Sequence, residues 1–324
     1  YILMKVHTLD IDSSERDTSI YPHANNYVVT LKNPIYDISK ISLLSARIPT
    51  PQLLINSLNK TFSVDGVNIT LDETNYTNGT DLATDLDVKL QPPESNVDSV
   101  VFDTDTNSLI FSNTSAGDNN FVFEFNSGTN GYASNVSPLT TPHQVLGFSS
   151  GDAVSTSNTL SSGAINLQGV NSLILRISAG SDEFNKYVYS STPFYTGHIL
   201  TNGTDVINFS HADDPFTHQF HTGTQKYVRD IRIEFFYMSH GRLIPYDFRN
   251  QDHILKFEVE CSTDKLEGLP KVSPDILKRS LPPPISIPVI ENPYSRGNYP
   301  AIFAIVFVGV MLLLVMKRKP KLIA

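Results

Sequence analysis

The residues best equipped for chemistry gather in one stretch, His211-Ala212-Asp213-Asp214-Pro215-Phe216-Thr217-His218-Gln219-Phe220-His221, which holds three imidazoles and two carboxylates. Imidazole nitrogens and carboxylate oxygens are ordinary zinc ligands, so His211, Asp213, His218 and His221 are the candidate metal set. Pro215 breaks any helix that would align them, and no second ligand group is evident, so a solvated loop without metal is the expected form. A second candidate is Gly147-Phe148-Ser149-Ser150-Gly151, the bare pattern of a nucleophile elbow. An elbow needs a strand before its serine and a helix after it. Here the following residues, Ser149 to Ser162, are small and polar with no apolar stripe. No phosphate-binding loop, dinucleotide glycine pattern or paired-cysteine zinc motif occurs. The chain is therefore read as non-enzymatic, with no catalytic residue and no cofactor.

The elements that would position any site are strands. Ile2 to Ile11 and Tyr27 to Leu31 are β-rich runs, the second closed by Lys32-Asn33-Pro34, and Ile38 to Ile48 is apolar on both faces, as a central strand would be. From residue 51 to 148 the texture changes. Thr61 to Val64, Asp65-Gly66 and Val67 to Leu71 predict a type I′ hairpin, and Thr80-Asp81 opens a helix with Leu82, Leu86 and Leu90 on one stripe. Three short strands follow, around Val100 to Phe102, Leu109 to Phe111 and Phe121 to Phe125. Residues 149–159 read as a polar loop. Strand signals return at Leu173 to Ile177, Lys186 to Tyr189 and Ile207 to Phe209. Ile231, Ile233, Phe235 and Tyr237 then share one face against Arg232, Glu234 and Phe236, and Leu255, Phe257, Val259 and Cys261 oppose Lys256, Glu258 and Glu260.

The fold class that follows is mainly all-β. Residues 1–50 and 160–265 form an antiparallel β-sandwich, and residues 51–148 form an inserted α+β unit of hairpin, helix and meander. Residues 269–300 carry eight prolines, which block ladder and helix alike and predict an extended strut. Residues 301–316 then run without a charge, from Ala301-Ile302-Phe303 through Val306, Phe307, Val310 and Leu313 to Met316. Tyr299 precedes the run, and Lys317, Arg318 and Lys319 open the basic tail 317–324. Sixteen helical residues cover about 24 Å against a hydrocarbon core of about 30 Å, and Tyr299 at one rim with a snorkelling Lys317 at the other makes up the difference. A single transmembrane helix is expected, a buried core helix being the other reading of so short a run.

The net charge of −9 includes four cations in the tail, so the rest of the chain is more acidic still and is a poor nucleic-acid binder. The tail itself suits anionic lipid. The single cysteine, Cys261, excludes an intrachain disulfide and suits a reducing compartment. Asn-x-Ser/Thr sequons fall at Asn59, Asn68, Asn75, Asn78, Asn113, Asn135, Asn202 and Asn208, close to the frequency that composition alone produces.

Asp12-Ser13-Ser14-Glu15-Arg16-Asp17, Tyr21-Pro22, Tyr27 to Leu31 and Ile41 to Pro49 resemble the opening of minor capsid proteins of large icosahedral DNA viruses with an internal membrane, chlorella viruses among them. Leu146-Gly147-Phe148 is similar to a Leu-Gly-Phe mark of that family, and Ile231 to Phe235, Gly241 to Leu243, Asp247-Phe248, His253 and Phe257 to Val259 are similar to its closing hairpin. The resemblance implies a capsid-associated β-sandwich beneath the shell, with the major capsid protein and other minor capsid proteins as partners and no catalytic residues. The expected role is a virion structural protein between shell and internal membrane, a single-pass protein that tethers one to the other. The alternative from another class is an adhesion or receptor ectodomain with a C-terminal anchor. The lone cysteine stands against that alternative.

Overall fold

The computed structural model describes residues 5–91, 95–133, 138–179, 182–183, 197–201, 203–219, 225–262 and 299–317. It divides into two units, Tyr1–Glu267 and Gly268–Ala324. The predicted strand at Lys186 to Tyr189 and the strut up to residue 298 lie outside the described residues.

The first unit starts with β1 (Lys5–Asp12), a short 3-10 turn (Ser13–Glu15) and β2 (Asn26–Pro49). The sequence predicts two strands broken at Pro34; β2 runs through as one strand of 24 residues. The reason lies in its pairing. Residues 31–34 fall where the register shifts, so the missing N–H of Pro34 is not needed by any ladder there.

The inserted unit comprises β3 (Thr61–Val64), β4 (Val67–Thr70), α1 (Gly79–Leu90), β5 (Ser99–Asp103), β6 (Ser108–Ser112), β7 (Val122–Phe123), β8 (Ala153–Val154) and β9 (Thr159–Ala164). Asp65 and Gly66 both have positive φ, as the type I′ turn between β3 and β4 requires. In α1 the cap is Asn78, whose side chain accepts from the N–H of Asp81, so the helix begins ahead of the predicted Thr80. Leu82, Leu86 and Leu90 are fully buried and join Phe62, Phe111, Phe121, Phe123 and Phe125 in a core built wholly from residues 54–165. The stretch 149–159, read as a loop, carries β8 and the start of β9. These strands lack an apolar signature because β9 is mostly exposed and is held by its ladder with β6.

The chain returns through β10 (Ser172–Ala179), β11 (Asp182–Glu183), β12 (Gly197–Leu200), β13 (Val206–Ser210), β14 (Phe216–Gln219), β15 (Gln225–Ser239), β16 (Arg242–Pro245) and β17 (Ile254–Cys261). The sequence predicts a two-sheet sandwich. Among the described residues these strands, β1 and β2 join in one antiparallel network of ten. That is because β2 changes partners along its length: β15 first, then β17 on one side with β14 and β13 on the other. The alternation in β15 and β17 buries Ile231, Ile233, Phe235, Tyr237, Leu255, Phe257, Val259 and Cys261 in a second core with Tyr27, Leu43 and Ile48. Each large side chain so buried contributes about 1.5–3 kcal/mol. Glu234, expected on the solvent side, is buried instead, and accepts from Arg176 at 2.7 Å across the β10–β15 pair.

In the second unit the helix α2 spans Tyr299–Met316. It starts ahead of the predicted Ala301 because a proline at the second position costs a helix nothing: that N–H has no partner within the helix. Among the described residues no helix is long and apolar enough to cross a membrane, so the expected transmembrane helix is not found there. The eighteen residues of α2 rise about 27 Å, short of a hydrocarbon core of about 30 Å.

Candidate functional site

α2 is the element with the most pronounced surface chemistry. Thirteen large side chains from Ile302 to Met316 are between 50% and 80% exposed, among them Phe303, Val306, Phe307, Val310 and Leu313. They point in every direction around the axis, and no charged residue interrupts them. A helix apolar on all sides is suited to an apolar medium rather than to a water–lipid boundary, where one face has to be polar. Ala301 is exposed as well, and Lys317 follows the last turn, its N–H donating to the carbonyl of Leu313 at 3.2 Å. The side chain of Tyr299, and Arg318 and Lys319, lie outside what is described.

The candidate metal residues are not brought together. His211 sits in the turn after β13, where its Nδ1 accepts from the N–H of Phe216 at 3.3 Å; Asp213 is in the same turn, closed by its own N–H to the carbonyl of Ser210. His218 is on β14, opposite Ile41 of β2, and His221 falls outside the described residues. No group of His, Cys, Asp or Glu able to hold a metal is found among the described residues. The elbow pattern is equally unformed. Ser149 is exposed, and no helix follows it. Gly147 has φ +79°, and a Cβ there would fall onto the carbonyl oxygen of Gly163, so this glycine serves a close backbone crossing.

Two polar networks went unread in the sequence. The first ties the turn after β1 to the start of β17. Ser13 Oγ donates to Asp252 at 2.9 Å and accepts from the N–H of His253 at 2.9 Å. Arg16, its side chain only 6% exposed, donates to the Ser13 carbonyl at 2.7 Å, to the Tyr21 carbonyl at 3.1 Å and to Asp252. Behind them His253 is buried among Tyr27, Phe235 and Phe248, with the Tyr27 hydroxyl 3.0 Å from its Nε2. Burial holds this imidazole neutral, pushing its pKa down to about 3, and pushes the Tyr27 phenol up. The residue types resemble a serine–histidine–aspartate set, yet Ser13 pairs with the carboxylate and not with the ring. Nothing there activates a nucleophile.

The second network joins the inserted unit to the β15–β16 hairpin. Arg242 lies 4.4 Å over the Tyr132 ring and donates to the carbonyls of Asn130, Gly131 and Leu139 at 2.6–3.2 Å. The Tyr132 hydroxyl meets Thr140 at 2.6 Å and Ser239 at 2.5 Å. His143 Nε2 is 2.9 Å from His240 Nδ1, and the other ring nitrogen of His143 is 2.9 Å from the Thr141 hydroxyl. Burial, with the neighbouring His240 second, lowers the His143 pKa to about 4. Partners about a hundred positions apart leave no local period; the only advance signal was Gly241-Arg242-Leu243 within the closing-hairpin pattern.

No curated protein matches the chain. Among solved structures, the mavirus penton protein aligns at 10% identity over 81% of this chain and 100% of its own, with a TM-score of 0.38. A chain from the Sputnik virophage structure aligns at 10% identity over 79% of this chain and 98% of its own, with a TM-score of 0.36. Likenesses so distant assign no role. A family model does match most of the chain, over residues 5–228, and by it the chain belongs to the family described as a family of unknown function, DUF5901.

Proposed function

We propose that the chain is a virion structural protein whose β body binds the inner side of an icosahedral capsid shell and whose C-terminal helix holds it to an internal membrane. The observation that carries the membrane half is α2, free of charged residues and exposed from Pro300 to Met316. Thirteen large side chains at about 1.5–3 kcal/mol each give a driving force for leaving water on the order of tens of kcal/mol. The shortfall of about 3 Å against the hydrocarbon core is of the size that snorkelling of Lys317 and local thinning of the bilayer absorb. The basic residues Lys317, Arg318, Lys319 and Lys321 would then meet anionic headgroups. The shell half rests on the sequence resemblance of the first and last strands, and its partners would be the major capsid protein and other minor capsid proteins. Function is mechanical here, a link that sets the spacing of shell and membrane.

Deletion from residue 269 onward tests the link. Particles assembled with the truncated chain should keep their shell and lose regular apposition of the membrane; normal apposition would refute the tether. The ectodomain reading draws on one observation, that the sequon residues Asn68, Asn75, Asn78 and Asn208 are exposed. A mass decrease on glycosidase treatment of the virus-expressed or cell-expressed protein would favour that reading instead.

A further inference from the structure

We propose that the cleft between the inserted unit and the β body binds a neutral, polyhydroxylated ligand, a saccharide of one or two rings. The cleft encloses about 320 Å³, within the range of small-molecule sites. Its lining contains no lysine, arginine or histidine, and Asp205 is its one carboxylate among the described residues. Phosphates, sulfates and acidic sugars find no cation there, so the ligand must be recognised by hydrogen bonds between neutral groups.

Those groups are fixed in position. The Gln52 side-chain oxygen accepts from the N–H of Asp247 at 2.9 Å, and the Asn75 oxygen accepts from the N–H of Leu54 at 2.7 Å. Each amide is pinned by its carbonyl end, and neither NH2 group meets a protein acceptor among the described residues. Thr201 is fixed in the opposite sense: its hydroxyl donates to the carbonyl of Val170 and keeps only lone pairs for a ligand. The buried phenol of Tyr237 lies in the same wall, with the Asn56 side chain beside it. Two fixed donors, on Gln52 and Asn75, and a fixed acceptor, on Thr201, therefore share the lining with apolar side chains, Val170 among them. Sugar hydroxyls, each donor and acceptor at once, suit such a lining, and the C–H face of a pyranose suits Val170. An extended peptide is the competing occupant. Its backbone suits the donors as well, but each peptide unit offers one donor and one acceptor on opposite edges of the strand, whereas neighbouring ring hydroxyls offer both on one edge.

The test is saturation-transfer difference NMR on the full chain, held in a detergent without a sugar headgroup. The probes are the methyl glycosides of glucose, galactose and mannose, glucose 6-phosphate, and a capped trialanine peptide. At least one neutral glycoside should receive saturation, and the phosphorylated sugar and the peptide should not. Gln52→Glu and Asn75→Asp keep the pinned oxygen and remove the free NH2 donors, so each should weaken glycoside binding by about tenfold with the thermal midpoint unchanged. Two variants at separate positions guard against the failure of either to fold. The proposal is overturned if no glycoside binds, if binding is undiminished in both variants, or if the peptide binds in preference.

Discussion

Acidification below about pH 6.5 should weaken the folded body, and the two buried imidazoles set the size of the effect. His143 is fully buried and His253 is 1% exposed, and burial lowers their pKa values to about 4 and about 3. In the unfolded chain each returns to about 6.5. A depressed folded pKa means that below pH 6.5 the unfolded state takes up protons that the folded state refuses, so stability is present above pH 6.5 and is lost as pH falls towards the folded values. From pH 7 to pH 5 each imidazole costs about 2 kcal/mol, and the pair about 4 kcal/mol, a large part of the about 5–15 kcal/mol that a domain possesses. Three hydrogen-bonded aspartates act at lower pH. Asp12, Asp17 and Asp103 are lowered by hydrogen bonds from Ser14, Ser19 and Thr106, so their contributions are lost only below about pH 4. Urea denaturation of the full chain at half-unit pH intervals measures this directly. His143→Gln should remove about half of the dependence between pH 7 and 5, and His253→Gln the other half. A midpoint that stays flat over that window would refute the burial argument. A dependence retained in both variants would place the titrating groups elsewhere.

Arg16→Ala should destabilise the body by about 2–4 kcal/mol, because it leaves Asp252 and the Ser13 and Tyr21 carbonyls without their charged donor; chemical denaturation with and without the Asp252→Asn change gives the coupling. Gly147→Ala should cost about 2 kcal/mol or more, since it combines a left-handed backbone with a clash against the Gly163 carbonyl, and a thermal melt would show it as a lowered midpoint.

What was legible in the sequence is what repeats within a few residues. Asp65-Gly66 fixed its turn because the type I′ geometry admits few residue pairs, and Leu82, Leu86 and Leu90 marked a helix face because the period is set by the backbone. Pro34 misled, since whether a proline ends a strand depends on whether the opposite strand needs its N–H, and β15 lies nearly two hundred residues away. β9 misled for the converse reason: an exposed edge held by backbone bonds has no need of apolar side chains. The His143–His240 contact and the Arg176–Glu234 pair could not be read at all, because each depends on a register between strands or turns that the local pattern does not encode. The cleft was hidden likewise, since its donors come from loops after β2 and before α1.

The residues that carry the sequence resemblance can be given a physical reason. Asp12 to Arg16 lie before the insertion and Asp252-His253 after it, and the two stretches meet through Ser13, Arg16 and the ring of Tyr27. Over two hundred residues, including a unit with its own core, separate these partners, so closing that loop carries a large entropic cost that grows slowly with length. Ionic and hydrogen-bonded contacts concentrated at the closure point offset it, whatever the insertion contains. These contacts are thus explained by fold closure and require no reaction at those residues. It follows that chemistry beyond fold closure is to be sought away from these residues, in α2 and in the cleft beside the insertion.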